Sequence, residues 1–488
     1  MTLKTGRWGV LALMAALALQ AGAAQARTSE DHEARWARIE RSLTPLYQVQ
    51  GRQYEPQSLS EVMAQNNVPA VSIAFVDDGR IVRAVAYGQA DAETGAAATP
   101  ETLFQAASVS KAVAATAMLD LVEAGALSLD APVNDQMTGW RLPQSEFTDR
   151  TPPTLRMLLN HTAGVTVHGF PGYASGEPIP TALQILAGEP PANTDPILVD
   201  TPPGVAWRYS GGGYVIAQVL AAEAAGEDFD ALARRLVFEP WGMSSSSYRQ
   251  PLDGELRLRA ASAHDAQGRP VEGGSHAYPE LAAAGLWTTP SDLARWLIGV
   301  SEARAGRDDR VLEAGTARAM TTAGLGEWGL GVQVRGEGDG LEFRHTGSNE
   351  GFRSVVVAFP ERRQGVVVMM NGEAGAEVMG PIVQAVAQEY GWPHYPPRAI
   401  PFVATPSETL AQLAGAYGVA PRRLEVEMSP SGDTLSLQLG RRRLELIPQG
   451  GDVFLESRGL GRAEFERGDD GAVVAISLNG ARFERQAP

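Results

Sequence analysis

Ser108 and Lys111 stand three residues apart in Phe104–Glu123, FQAASVSKAVAATAMLDLVE. Helical neighbours three apart share a face, so the lysine amine can reach the serine hydroxyl. An amine that has lost its proton can turn that hydroxyl into a nucleophile for acyl transfer. The lysine usage makes the pair informative. The chain has two lysines, Lys4 and Lys111, within a Lys+Arg total of 41. Lys4 falls in an expected leader, which makes Lys111 the sole lysine of the processed chain. Arginine fills every other basic position, and arginine cannot release its proton in a protein, whereas a buried lysine can. An Arg-biased composition also leaves one lysine by accident, so the pair needs partners.

Two stretches offer them. Tyr209-Ser210-Gly211-Gly212-Gly213 precedes a helical segment, Tyr214–Glu223. A phenol held near a lysine ammonium ionises more easily and can carry a proton. A tyrosine at a helix start is equally a half-buried core residue, and the glycines equally a tight turn. His345-Thr346-Gly347-Ser348 continues the strand-like Leu341–Arg344. On an edge strand facing the nucleophile, small residues there would let a substrate backbone approach. Of the seven histidines, His345 alone receives a functional reading. His161, in Asn160-His161-Thr162-Ala163-Gly164, reads as a structural histidine satisfied by backbone.

The elements that must position these groups follow from pattern. From Ala112 to Ala124 only Asp120 and Glu123 are charged. A helix apolar on nearly all sides belongs inside a large core, and Gly125 suits its end. A polar helical lead-in spans Glu30–Leu43. Ala70–Val76 and Arg80–Tyr87 read as strands joined by an Asp78-Gly79 hairpin turn. Between Leu127 and Ser275, Pro and Gly clusters break short helical pieces. Leu281–Val300 reads as a helix pair around the capping signal Thr289-Pro290-Ser291-Asp292. Ser354–Phe359 and Gly365–Asn371 form a second hairpin, and Gly380–Tyr390 a closing helix. The expected fold is α+β: an antiparallel sheet flanked by helices, an αβα sandwich, with a helical insertion. Pro393–Pro406 reads as a linker. Beyond it, Leu424–Met428, Thr434–Leu439, Arg441–Ile447, Asp452–Glu456 and Ala472–Leu478 are short runs, most alternating, separated by Gly and Asp turns. They predict a small all-β, barrel-like accessory domain. The expected division is a signal peptide over 1–26, a hydrolase domain over 27–395 and the β domain over 396–488.

Lys4 and Arg7, the apolar run Gly9–Leu19 and Ala24-Gln25-Ala26 have the order of a secretory signal, which predicts export to a periplasmic or extracellular location. The apolar run is too short to span a bilayer, and no later stretch is longer and apolar, so no membrane span is expected after cleavage. The formal charge is −16. Losing Lys4 and Arg7 takes it to −18, which disfavours nucleic acid or an anionic membrane as partner. The chain has no cysteine, so disulfides, thiol catalysis and cysteine-ligated zinc are excluded. No G-x-S-x-G elbow, H-E-x-x-H metal motif or dinucleotide fingerprint occurs. No cofactor and no metal are expected. The partner is a small-molecule or short-peptide substrate, and the oligomeric state is unspecified.

With these residues in hand, the chain resembles the penicillin-binding-protein and serine β-lactamase superfamily, most nearly class C β-lactamases and the related D-aminopeptidases, DD-carboxypeptidases and esterases. Ser108-Val109-Ser110-Lys111 is similar to S-x-x-K, Tyr209-Ser210-Gly211 to Y-x-N, and His345-Thr346-Gly347 to K-T-G, in the family's order. Leu158–Gly164 and Ala284–Leu293 look like further family segments. The resemblance implies that Ser108 is acylated, that Lys111 and Tyr209 share the base work, and that the backbone N–H groups of Ser108 and Ser348 form the oxyanion hole. It implies that Gly211, His345, Thr346 and Gly347 line the substrate site, with a protonated His345 orienting a substrate carboxylate. Gly211 replaces the family's asparagine and His345 its lysine. Both departures weaken a dedicated β-lactamase reading and point toward small esters, amides or D-amino-acid peptides, with a dedicated class C-like β-lactamase or DD-carboxypeptidase as the alternative. A non-catalytic sensor of cell-wall fragments is the alternative of another class.

Overall fold

Asp78 and Gly79 both take left-handed backbone angles, φ 48° and 67°. Two consecutive positive φ values give a tight turn whose twist matches that of paired strands. The turn joins β1 (Ala70–Asp77) to β2 (Arg80–Asp91). The computed structural model describes residues 31–419, 423–439, 442–458 and 461–486; the leader expected over 1–26 lies outside them. The chain divides into two units, one holding residues 31–40 and 58–379, the other 41–57 and 380–486.

The first unit is built on one antiparallel sheet. Its further strands are β3 (Ala96–Ala97), β4 (Gln333–Arg335), β5 (Glu342–Asn349), β6 (Phe352–Phe359) and β7 (Gln364–Met370). Their order is β3-β2-β1-β7-β6-β5-β4. Every residue of β1 from Ala70 to Val76 is buried, so both sheet faces are covered. Ala70, Ala74 and Val76 enter the main core with Leu293, Ala294 and Leu297. Phe75, pointing the other way, meets Trp36 of a helix over 31–39, ring centroids 6.3 Å apart. This is the αβα sandwich expected from the pattern.

Two helices matter most for the site. α1 (Ser110–Glu123) is preceded by a 3₁₀ turn, Ala107–Val109, and followed by Gly125 at φ 72°. Its residues Ser110 to Leu119 are all buried, as its apolar composition demands. α2 (Gly211–Ala225) starts at Ser210, whose side chain accepts from the Gly213 N–H, and ends at the left-handed Gly226. α3 (Leu281–Ala284) and α4 (Pro290–Arg304) divide the segment read as a helix pair, with Thr289 capping α4.

The second unit is described by itself. A short strand, Tyr47–Val49, pairs in parallel with Arg398–Ile400. The stretch read as a linker therefore contains a paired strand. Eight strands from Gly415–Tyr417 to Ala481–Glu484 pair antiparallel in sequence order. A bridge between Tyr417 and Arg485 joins the first strand to the chain after the last, closing the barrel. Leu410 and Leu413, from the helix Ser407–Leu413, pack inside with Tyr417, Phe454 and Phe465. The strand expected from Arg441 is described from Arg442 to Gly450. No helix among the described residues is long and apolar enough to cross a membrane.

β5 is flanked by β4 only along Glu342–Arg344, so His345 to Asn349 keep an open edge beside the 3₁₀ turn. Gly347 is needed for that approach: a Cβ there would lie 2.2 Å from the Ala106 carbonyl oxygen and 2.3 Å from Ser354 Oγ. Gly347→Ala must push β5 off the turn before α1. The expected result is a lower melting temperature together with at least a roughly hundredfold slower reaction of Ser108 with p-nitrophenyl acetate, since small misplacements of reacting groups carry such costs. A near-native rate of that reaction would show that the close approach is dispensable.

Candidate active site

Among the described residues from Thr102 to Leu119, Ser108 alone is not buried. The chain around it is held by side chains bonding to backbone. Ser110 Oγ accepts from Leu286 N–H at 3.0 Å, and Tyr248 OH donates to the Ser110 carbonyl at 2.7 Å. Ser354 Oγ donates to the Ala106 carbonyl at 2.7 Å. Asn349 Nδ2 donates to Gln105 Oε1 and to the Ala284 carbonyl. Ala107, between these anchors, takes φ 50°, a conformation that a residue with a Cβ adopts only where its surroundings enforce it.

Lys111 Nζ donates to Ser108 Oγ at 3.2 Å and to the Ala283 carbonyl of α3 at 2.7 Å. It lies 5.0 Å from the centre of the Tyr209 ring and 5.7 Å from that of Tyr214. Burial lowers its pKa to about 7, because taking an ammonium out of water disfavours the charged form.

Tyr209 stands against the pair through its ring, whose centre is the 5.0 Å neighbour of Lys111 Nζ. Its ionisation differs from the expectation. Burial raises the phenol's pKa well above the usual tyrosine value, so Tyr209 is a neutral hydrogen-bonding group at neutral pH. Of the two groups, only the amine has its pKa brought near neutral pH.

The Tyr209 backbone is set by two interlocked loops. Arg208 N–H donates to the His161 carbonyl, Gly211 N–H to His168 and Gly212 N–H to Val167. Ser210 Oγ donates to Thr166 at 2.8 Å. A Cβ on Gly212 would lie 2.6 Å from the Thr166 oxygen, so the middle glycine serves this contact. Gly211 opens α2 and is buried. A Cβ there would lie 2.8 Å from Cε2 of Phe170, so that ring stands against the position where the family carries asparagine.

His161 is structural, as expected, but only half satisfied. Its Nδ1 accepts from the Ser210 N–H at 3.1 Å. Its Nε2 is buried without a partner among the described residues, and its ring lies 4.3 Å from Tyr209.

His345 departs from its expected role. Nδ1 lies 2.7 Å from the Thr346 carbonyl. A carbonyl only accepts, so Nδ1 carries the proton and Nε2 presents a lone pair. Burial first, then the Lys111 charge, lower its pKa to about 3. The ring is neutral at neutral pH, and the protonated form expected to hold a carboxylate is suppressed. Thr346 and Ser348 face outward on the open edge, while Gly347 lies against the turn that holds Ser108.

Two tryptophans that belong to no motif complete the site. Trp328 packs 5.7 Å from Tyr209, 5.4 Å from His345 and 5.0 Å from His161. Trp207 lies 5.6 Å from Trp328 and 6.5 Å from Tyr209. Trp207 is 38% exposed and so lines the mouth of the site. Its place two residues before Tyr209 is the one signal the sequence offers for it; nothing local marks Trp328.

Comparison with known proteins agrees with this geometry. Residues 57–389 match the family described as Beta-lactamase. Penicillin-binding protein 4 of Amycolatopsis lactamdurans is 27% identical over 372 residues, 72% of this chain and 94% of that protein. Esterase EstB of Burkholderia gladioli is 29% identical over 296 residues, 54% of this chain and 72% of that protein. Among solved structures, the octameric penicillin-binding protein homologue from Pyrococcus abyssi superposes with TM-score 0.60 at 24% identity, covering 87% of this chain and 98% of that one. The chain belongs to the beta-lactamase family of serine hydrolases.

Proposed function

We propose that the protein is an exported serine hydrolase that forms an acyl-enzyme on Ser108 and acts on small esters, amides or D-amino-acid peptides. The observation that carries this reading is the buried amine of Lys111, 3.2 Å from Ser108 Oγ with its pKa lowered to about 7. A base poised near the working pH is the most effective kind. The Ser108 proton passes to Lys111 Nζ as Oγ attacks the acyl carbon. The N–H groups of Ser108 and Ser348 receive the developing oxyanion, each worth about 3 kcal/mol. Collapse breaks the bond to the leaving group, which takes the proton from the ammonium, with the neutral Tyr209 hydroxyl relaying it. Water then attacks the ester by the same route, releasing the acid and restoring the free serine. The β barrel is an accessory to this chemistry, and residues 27–395 carry the activity.

The departures at Gly211 and His345 support esters and uncharged amides over penicillins. Asparagine at 211 would meet Phe170, and His345 supplies no charge. Labelling of Ser108 by a fluorophosphonate probe, read by intact mass, tests catalysis against the alternative of a silent binding protein. Wild-type protein should gain one adduct and Ser108→Ala none. Lys111→Arg keeps the charge but cannot take the proton, so its labelling rate should fall on the order of 10²–10⁴-fold, the usual scale of a lost general base. Unchanged labelling of Lys111→Arg would place the base elsewhere.

The pH profile follows from the same amine. The reactive form lacks the proton, so acylation should rise with pH through about 7 and level off above it. A profile flat from pH 5 to 9 would contradict this. Stability moves with it. A pKa lower in the folded than in the unfolded state means that unfolding takes up a proton between the two values. The cost of burying the ammonium is therefore fully present below about 7 and fades toward the ordinary value of 10.5. A tenfold change in proton affinity is worth about 1.4 kcal/mol. Lys111→Met should then resist urea better than wild type, and by more at pH 6 than at pH 9. Equal resistance at both would mean that the amine is not desolvated.

A further inference from the structure

His345, Tyr209, Trp328 and Trp207 form a continuous wall from the nucleophile to the surface. Successive ring centroids are 6.2, 5.7 and 5.6 Å apart. The outer end is apolar: Val205 is 70% and Leu325 49% exposed. Gly326, at φ 67°, brings the 325–327 turn against Trp207, where a Cβ would lie 2.5 Å from the indole Cγ. Trp207 is thus braced by that turn and stays 38% exposed.

At the inner end the two rings carry no charge of their own. The Nε2 lone pair of His345 is buried and has no partner among the described residues, and the same holds for the Trp328 indole N–H. One is an acceptor and the other a donor, and neither carries charge. A carboxylate brought to His345 would face a lone pair. Protonating the ring to receive it is opposed by burial and by Lys111. A carboxylate beside Lys111 would also favour the ammonium and remove the base. The charges that act on the His345 ring are those of Lys111 and Arg344, and Arg344 lies 4.0 Å from Glu342.

We propose that the site selects substrates that lack a carboxylate and carry an aromatic group seated on Trp207 and Trp328. The proposal rests on the serine hydrolase reading and narrows its substrate class. Aromatic rings gain from edge-to-face and offset contacts beyond their area burial, and a neutral donor–acceptor pair suits an ester, amide or hydroxyl.

The test compares four butyrate or succinate esters: phenyl butyrate, 3-carboxyphenyl butyrate, monophenyl succinate and ethyl butyrate. Assays run at about 0.5 M salt, where the protein's net negative charge is screened at distances beyond a few ångströms. Phenyl butyrate should exceed each carboxylated ester in kcat/KM by at least roughly tenfold, the scale on which a pocket rejects a mismatched substituent. Trp207→Ala should raise KM for phenyl butyrate by roughly tenfold, and by several-fold more than it raises KM for ethyl butyrate, with Trp207→Phe restoring most of the loss. The proposal is overturned if either carboxylated ester matches phenyl butyrate, or if Trp207→Ala affects the phenyl and ethyl esters alike. Fluorophosphonate labelling of Ser108 separates the two levels. A folded protein that is not labelled overturns the hydrolase reading and this proposal with it; a labelled protein without the selectivity overturns this proposal alone.

Discussion

Lys111 is buried beside Ser108, and it is burial that lowers its pKa. Amines taken out of water stay charged only where an acid compensates them. Here the amine donates to a hydroxyl and a carbonyl instead. Much of the surrounding structure follows from keeping it that way. α1 must be apolar on all sides, and its alanines let neighbours come close. Gly331, at φ 95°, passes so near α1 that a Cβ would lie 2.6 Å from that of Ala115. The same dryness raises the Tyr209 phenol and lowers His345. One desolvated centre thus sets the proton state of three side chains.

Holding the serine is a separate problem from activating it, and it is solved by backbone contacts. Ser110, Ser354, Tyr248 and Asn349 each satisfy a main-chain group beside the turn, at the start of α1 or in or just after α3. They over-determine a turn that contains a left-handed alanine, a conformation costing on the order of 1–3 kcal/mol. Gly347 and Gly212 allow strand and loop to reach backbone oxygens at distances closed to any Cβ. In both places glycine acts through packing, whereas the sequence pattern suggests room for substrate at 347.

The legible parts are those with local causes. The Ser–Lys spacing, the all-round apolar helix, the Asp78-Gly79 hairpin and the alternating strands of the barrel each depend on neighbours in sequence. What stays hidden depends on distant groups. The protonation of Tyr209 and His345 follows from how deeply each is buried, which no motif states. Phe170 beside Gly211, and Trp328 beside His345, are meetings of segments far apart in the chain. Likewise, nothing in the composition of residues 41–57 marks their place in the second unit.

That placement has a consequence for how the chain comes together. Tyr47 and Arg398 are partners across 351 residues, and the loop between them includes the whole Ser58–Met379 stretch of the first unit. In an unfolded chain, closing so long a loop costs entropy that grows with the logarithm of its length. Once the intervening stretch has folded, far fewer free residues remain to be closed. The three-residue parallel pairing is therefore a late contact, favoured by the order already present around it. A chain emerging from its N-terminus cannot form it until nearly all of the hydrolase sequence has appeared, so the second unit is begun early and finished last.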